Sequence, residues 1–396
     1  MFENLEALPA DSILGLMADF RADPRPNKID LGVGVYKDAN GATPVLAAVK
    51  AAEARRLQQE DTKSYIGPAG NEGFNNHMAR LMLGEDLSGV AAERISVVQT
   101  PGGCGALRAA AEFVLRGNKE ATIWVSDPTW ANHVPLLGDA GLTIREYPYF
   151  DAATSSVRFD AMIDCLKERG PGELVLLHGC CHNPCGADLS PDQWDVVLDL
   201  AQKQGFTPFI DLAYQGFGEG VDADALGVRL LAAGLDELIV ASSCSKNFGL
   251  YRERTGAVML VARNAAQASA AKSQLLNVIR GIYSMPPAHG GAIVDIILSD
   301  PELTQSWQEE LATMRGRINE LRELLVSRFK EKGAGDRFDF IGRQRGMFSF
   351  LGISAQQVAK LRDEHAIYMV NSSRINVAGA SQANIDHLCE SVISVL

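Results

Sequence analysis

The sequence has no surplus of basic residues. Lys and Arg total 37 against 49 Asp and Glu, for a formal net charge of -12, and a uniformly acidic face repels nucleic acid and anionic membranes alike. An acidic small molecule is still compatible, because local arginines outweigh net charge at a single site. No apolar run approaches the ~18 residues that a spanning helix requires. The opening residues lack the charged, apolar and small-residue pattern of a secretory leader. The 7 cysteines are an odd number without framework spacing, which suits a reducing compartment. These absences predict a cytoplasmic protein with no nucleic-acid and no membrane partner. Repeats, low-complexity tracts and long linkers are missing too, and 396 residues predict about two domains.

What is present reads as α/β. From 94 to 262, short apolar or β-branched runs alternate with amphipathic helical stretches. Strands are predicted over 94–100, 121–126, 143–149, 173–179, 206–214, 236–243 and 256–262. Near-continuous apolar runs of this kind fit a mostly parallel sheet covered by helices on both faces. Ser190-Pro191 marks a helix start, a cap followed by proline at the first helical position. Beyond 262 the texture turns to long helical patterns, notably 306–333, and then to a smaller α+β region with strands predicted at 346–352 and 367–379 around a helix at 354–365. The first ten residues read as a loose arm.

In open α/β sheets ligands collect at the carboxyl ends of strands, and several reactive residues fall there. The stretch "TPGGCGALR" carries Gly102, Gly103 and Gly105 from strand into helix, so backbone N–H groups and the helix dipole could hold a phosphate. Its plainer reading is a tight turn. Trp130 follows the strand ending in "SDPTW" and offers a face for a ring, although core packing is the commoner fate of tryptophan. Asp211 lies inside an apolar strand, where a carboxylate demands a cation or strong donor. Tyr214 and Asn183 could contact the same ligand or bond within their loops.

Lys246 follows the run "IVASSCSK" among small residues. Most lysines are exposed loop residues, but one at a strand end near an anion site can become a nucleophile able to form a Schiff base. Ser243 and Arg254 on either side suggest a cup for a dianionic phosphate. A phosphate cup, a ring stacker, a buried acid for a ring nitrogen and a Schiff-base lysine together point to pyridoxal 5′-phosphate. Cys180, Cys181, His182 and Cys185 crowd together in "GCCHNPCG", but three are consecutive and no second ligand pair follows, so no metal is expected. A buried Arg374 would need an anion such as a carboxylate. Arg280 is ambiguous.

The segments "DLGVGVYKD", "TPGGCGALR", "SDPTWANH", "HNPCG", "DLAYQGFG", "SSCSKNFGLYRERTG" and "SRINVAG" resemble the aspartate and aromatic aminotransferases of fold type I, in the family's order and over nearly the whole chain. The resemblance implies catalytic roles for Lys246, Asp211 and Tyr214. Lys246 would carry the cofactor, and Asp211, backed by His133, would keep its ring nitrogen protonated. Asn183 and Tyr214 would contact the ring hydroxyl, and Trp130 would stack on the ring. The phosphate would lie against Gly102, Gly103, Cys104, Ser243, Ser245 and Arg254, with Tyr65 reaching in from a second subunit. Arg374 would clamp the substrate α-carboxylate, helped by Asn183 and Trp130, and Gly34 would cap the substrate. Arg280, also from the partner, would meet a distal carboxylate.

The family architecture implies a homodimer with shared sites, an arm at 1–10, a small domain from 11–43 and 314–396, and a large cofactor domain at 44–313. The implied reaction moves the amino group of aspartate or an aromatic amino acid to 2-oxoglutarate by a ping-pong scheme, giving oxaloacetate or an aryl-pyruvate and glutamate. Three positions depart from the family pattern without removing a catalytic group: Cys104 for Thr or Ser, Cys185 for Thr, and Ser373 for Gly. Met285 replaces a polar residue near the distal-carboxylate site, and its pliable side chain suits an aromatic substrate. The rival readings are another pyridoxal enzyme, a lyase or decarboxylase, and a nicotinamide dehydrogenase. The dehydrogenase lacks its G-x-G-x-x-G turn and following acid.

Overall fold

The computed structural model describes residues 2–7 and 12–396. In chain order the strands are β1 (Ile29–Asp30), β2 (Ile95–Pro101), β3 (Thr122–Asp127), β4 (Thr143–Pro148), β5 (Phe150–Asp151), β6 (Ser156–Val157) and β7 (Glu173–His178). They continue with β8 (Thr207–Leu212), β9 (Leu238–Ser243), β10 (Thr255–Val261), β11 (Phe348–Phe350), β12 (Ile367–Tyr368) and β13 (Arg374–Asn376). Seven of them form one sheet in the order β2-β10-β9-β8-β7-β3-β4. Only β10 runs antiparallel to its neighbours, so the carboxyl ends of β2, β3, β7, β8 and β9 share one edge.

Period-two alternation divides these strands between two cores. Val175, Leu177, Ile210, Leu212 and Val240 face one buried cluster. Leu174, Leu176, Phe209, Ile239 and Ala241 face the other. The second face is covered by the helices Gly102–Gly117, His133–Gly138 and Ala265–Ile282, which supply Ala106, Leu137 and Leu275 to that cluster. Asp211 has the parity of Phe209 and therefore lies on this side, toward the helix that begins at His133.

A separate core joins the chain's two ends: Ile29 and Leu31 pack with Leu325, Phe329, Ile367, Ile375 and Leu388. The helix Pro301–Glu331 serves both cores. Its Trp307, Leu311 and Ile318 belong to a sheet-side cluster, and its Leu321, Leu325 and Phe329 to the terminal one. Asp300 starts it by accepting from the backbone of Glu302 and Leu303. Ser190 caps the helix Pro191–Gln204 as the Ser-Pro start predicts, and Gln193 adds the reciprocal bond of a capping box.

The seven strands predicted for the main sheet are all present, with ends shifted by a few residues. Two readings change. The strand predicted to reach 214 stops at Leu212, which leaves Tyr214 in a turn. The single strand predicted over 367–379 is two, because Ser373 takes φ +64 and breaks the extended run; β12 then pairs with β1, and β13 with β11. Residues 2–7 of the expected arm are exposed, with one 3-10 turn at Phe2–Asn4. The remainder of 1–10 lies outside the described residues.

One glycine sets a close approach that matters below. Gly186 has φ +71, and a Cβ there would sit 2.3 Å from the Phe348 carbonyl oxygen. Gly186→Ala is therefore expected to lower the unfolding free energy by about 1–2 kcal/mol from the backbone conformation alone, with more from the clash. The check is a lower denaturant midpoint at unchanged slope.

Candidate active site

The shared edge of strand ends opens into a cavity of about 260 Å³. At its floor is Asp211, 7 % exposed, one residue from the end of β8. The register sets His178 of β7 beside it. His133 Nε2 donates to Asp211 Oδ2 at 3.1 Å. The Thr129 hydroxyl lies 2.8 Å from His133 Nδ1 and 3.2 Å from His178 Nε2, within hydrogen-bond reach of both rings. Burial alone would push the Asp211 carboxyl up. The His133 bond and nearby positive charge reverse this and hold it below the usual range. Burial lowers His178 to about 3, so it is neutral at pH 7 and the compensation there rests on His133 and Lys246.

Lys246 lies in the turn after β9, with Nζ 4.5 Å from the centre of the Tyr214 ring. Its amine is pulled below the usual lysine range, first by burial and then by the Arg254 charge, against the opposing pull of Asp211 and Cys104. Such an amine is more readily neutral, hence nucleophilic and basic, at working pH. Tyr214 is moved up by burial and by the Asp211 charge, so its phenol keeps its proton and can donate. Asn183 and the half-buried Trp130 line the same space. Asn183 Oδ1 is buried without a hydrogen-bond partner.

One part of the cavity wall combines a helix start with a cation. The helix Gly102–Gly117 begins without a side-chain cap, so its first N–H groups are left to a ligand. Gly103, Cys104, Ser243, Ser245 and Arg254 line this part. Gly102 stands just behind the lining with φ +72, and a Cβ there would lie 2.6 Å from a guanidinium nitrogen of Arg254. Only a glycine lets that cation approach the helix start. Arg254 is braced by a 3.0 Å bond to the Tyr251 carbonyl.

Arg374, which opens β13, also lines the cavity. It is 6 % exposed, donates to the Gly32 carbonyl at 2.6 Å, and lies over the Phe348 ring at 4.6 Å. Its Nε is buried without a partner. Asn376, two residues on, donates to the carbonyls of Val33 and Val35 and so fixes Gly34 in the cavity wall. The chain's two ends thus close this side together.

Tyr65 and Arg280 do not line this chain's own cavity. Tyr65 is 91 % exposed, and Arg280 is exposed near the end of its helix, bonded to Ser284. Sequence reasoning missed Tyr251, Phe348 and Leu107, which also line the site. Tyr251 sits within the Lys246–Arg254 segment. Phe348 belongs to the strand paired with Arg374's, and only that pairing reveals it. In the cysteine-rich loop, Cys180, Cys181 and Asp224 bring one ligand atom each within 4.8 Å of one another. The Asp224 oxygens, however, already accept from the backbone N–H groups of Gly216, Gly218, Glu219 and Gly220.

The Asp211–His133 pair makes a pH prediction. In the intact protein the Asp211 pKa is depressed, so its contribution to stability is present above the unfolded-state value of about 3.9 and is lost as pH falls through the lower folded value. In His133→Phe burial acts with weaker opposition and the carboxyl moves up. The variant should lose about 3–5 kcal/mol at pH 7. That deficit should shrink as the carboxyl protonates toward pH 4, read by denaturant titration at both pH values.

The model of the family described as aminotransferase class I and II matches residues 26–392. An aspartate aminotransferase of Haemophilus influenzae is 49 % identical over 396 residues, all of both chains. An aromatic-amino-acid aminotransferase of Pseudomonas aeruginosa is 48 % identical, covering 100 % of this chain and 98 % of that one. Among solved structures, an aromatic-amino-acid aminotransferase of Burkholderia pseudomallei, covalently bound to pyridoxal phosphate, superposes with a TM-score of 0.98 at 44 % identity over 100 % of this chain and 99 % of that one. By sequence and by fold over its whole length, the chain belongs to the aminotransferase class I and II family.

Proposed function

We propose that this chain is a pyridoxal-phosphate-dependent aminotransferase for aspartate and aromatic amino acids, with 2-oxoglutarate as amino acceptor. The observation that carries the reading is one cavity shared by Lys246, the Asp211–His133 pair, an uncapped helix start with Arg254, and Arg374. The names of the relatives support both substrate classes.

The residues fit the cofactor. The uncapped helix start, Ser243, Ser245 and Arg254 suit a phosphate, and the buried anion of Asp211 suits a protonated ring nitrogen. The unpartnered Asn183 Oδ1 and Arg374 Nε suit polar groups of cofactor and substrate. When bound, the cofactor supplies an electron sink that weakens the bonds at the substrate Cα. Trp130 offers the ring its face, and Tyr214 offers a hydroxyl proton beside Asn183. Arg374 holds the α-carboxylate, which orients the Cα–H bond toward Lys246. The Lys246 amine takes that proton and returns it, as base and then acid. Both half-reactions use one site, so oxaloacetate or an aryl-pyruvate leaves before 2-oxoglutarate binds and glutamate departs.

A homodimer with shared sites accounts for the exposure of Tyr65 and Arg280 outside their own chain's cavity. In it Tyr65 would reach the partner's phosphate site, and Arg280 would meet a distal carboxylate beside Met285. The separate core of the chain's two ends supports a small domain from 11–43 and 314–396 beside a large domain at 44–313. The cytoplasm is the proposed location. No helix among the described residues is long and apolar enough to cross a membrane.

Two outcomes test this reading. Protein loaded with pyridoxal phosphate should change its absorption spectrum with aspartate and with phenylalanine in the absence of any oxo acid. No change with either amino acid would refute amino transfer. Arg280→Ala should lose about 2–5 kcal/mol of a charge pair, lowering kcat/KM for aspartate roughly 30-fold or more while leaving phenylalanine nearly unaffected. A lyase or decarboxylase has no need of Arg280, and unchanged aspartate turnover would favour that class.

A further inference from the structure

Arg322 is a charged side chain with only 1 % of its surface exposed, and it lies outside the cavity. It occupies the helix Pro301–Glu331 at the junction of two cores, between Ile318 of a sheet-side cluster and Leu325 of the terminal one. Burial lowers its guanidinium to about 10, so it remains charged at neutral pH. A charge in such a place needs strong partners, yet none of its hydrogen-bond acceptors is a carboxylate.

The acceptors lie in one short segment. Nε donates to the Gly346 carbonyl at 3.0 Å. One terminal nitrogen donates to the Ile341 carbonyl at 2.9 Å and the Ser349 hydroxyl at 2.8 Å. The other donates to the carbonyls of Arg345, Gly346 and Phe348 at 3.1, 2.7 and 2.7 Å. The planar fork thus supplies donors to carbonyls of a segment that passes from the short helix Phe340–Arg343 through a turn into β11.

That segment touches the cavity in two ways. The Phe348 ring lies beneath the Arg374 guanidinium and edge-on to Tyr214, 5.9 Å between ring centres. The segment also grips the loop that carries Asn183: Arg345 N donates to the Gly186 carbonyl at 2.9 Å. A Cβ on Gly346 would lie 2.4 Å from Cys181 Cβ, and one on Gly186 2.3 Å from the Phe348 carbonyl. Cys181 and Gly186 are therefore both held against the segment, with Asn183 between them.

We propose that Arg322 is a positioning residue for substrate binding, fixing residues 341–349 so that Phe348 supports Arg374 and the 181–186 loop presents Asn183. The inference rests on the transaminase reading. It goes beyond that reading by tying substrate affinity to a residue that touches neither cofactor nor substrate.

The test compares Arg322→Met, which keeps bulk without charge, and Arg322→Lys, which keeps charge without the planar fork, in pyridoxal-phosphate-loaded protein. Both should raise KM for aspartate by about tenfold or more with kcat changed less than about threefold, the pattern of lost binding without lost chemistry. Amide exchange should quicken at 181–186 and 344–349 together and stay unchanged in β8 and β9. Should neither variant fold, Ser349→Ala removes a single acceptor and should shift KM the same way by about twofold or more. A purely structural role would lower thermal stability with KM and the local exchange pattern unchanged, and that result overturns the proposal. Wild-type protein inert toward aspartate and phenylalanine would refute the functional reading, and this inference with it. Active wild type with unchanged variant KM refutes this inference alone.

Discussion

An ionised carboxylate buried at the end of a parallel strand constrains most of what surrounds it. Asp211 is unfavourable there unless a donor and positive charge reach it, and each comes from a different element. The His133 bond requires the loop after β3 to bring a short helix onto the face of β8 that also holds Phe209. Thr129 and His178 fix that imidazole from behind. Lys246 then enters from the turn after β9, near enough for its charge to favour the Asp211 anion. The influence is reciprocal, because Asp211 limits how far burial lowers the amine. An amine of lowered basicity and an ionised carboxylate are thereby kept in one cavity with no direct salt bridge between them.

The rest of the cavity applies the same logic with opposite sign. A chain of net charge -12 builds two local positive regions. In one the Arg254 guanidinium lies against the start of a helix whose first N–H groups have no side-chain cap. In the other, Arg374 is held by the Gly32 carbonyl and by an aromatic face, with one N–H left without a partner. Both cations are braced by neutral groups rather than carboxylates, so their charge remains available to an incoming anion. Arg254 and Arg374 thus line one cavity together with Lys246.

Much of this was legible in the sequence because the relevant signals are local. Apolar runs ending in small or polar residues gave the strands, and those ends located Lys246, Asp211 and the glycine turn. The registers were not legible. Nothing in the spacing puts His178 beside Asp211, or Phe348 under Arg374, because those contacts depend on which strands become neighbours. The split of 367–379 into two strands was hidden by a β-rich composition that says nothing about Ser373 adopting a positive φ. Arg322 was hidden in a different way: in a helical pattern it reads as a polar surface residue, and only the carbonyls opposite give it buried partners. Tyr65 and Arg280 show the complementary limit, since one chain alone leaves both outside the cavity.

Under the proposed function, Lys246 is the amine that holds the cofactor. The direct measurement is borohydride reduction of the pyridoxal-phosphate-loaded protein, followed by proteolysis and mass mapping of the labelled peptide. A single stoichiometric label on Lys246, absent from Lys246→Ala, is the expected result. A label on another lysine, or none on protein that has taken up the cofactor, would contradict it.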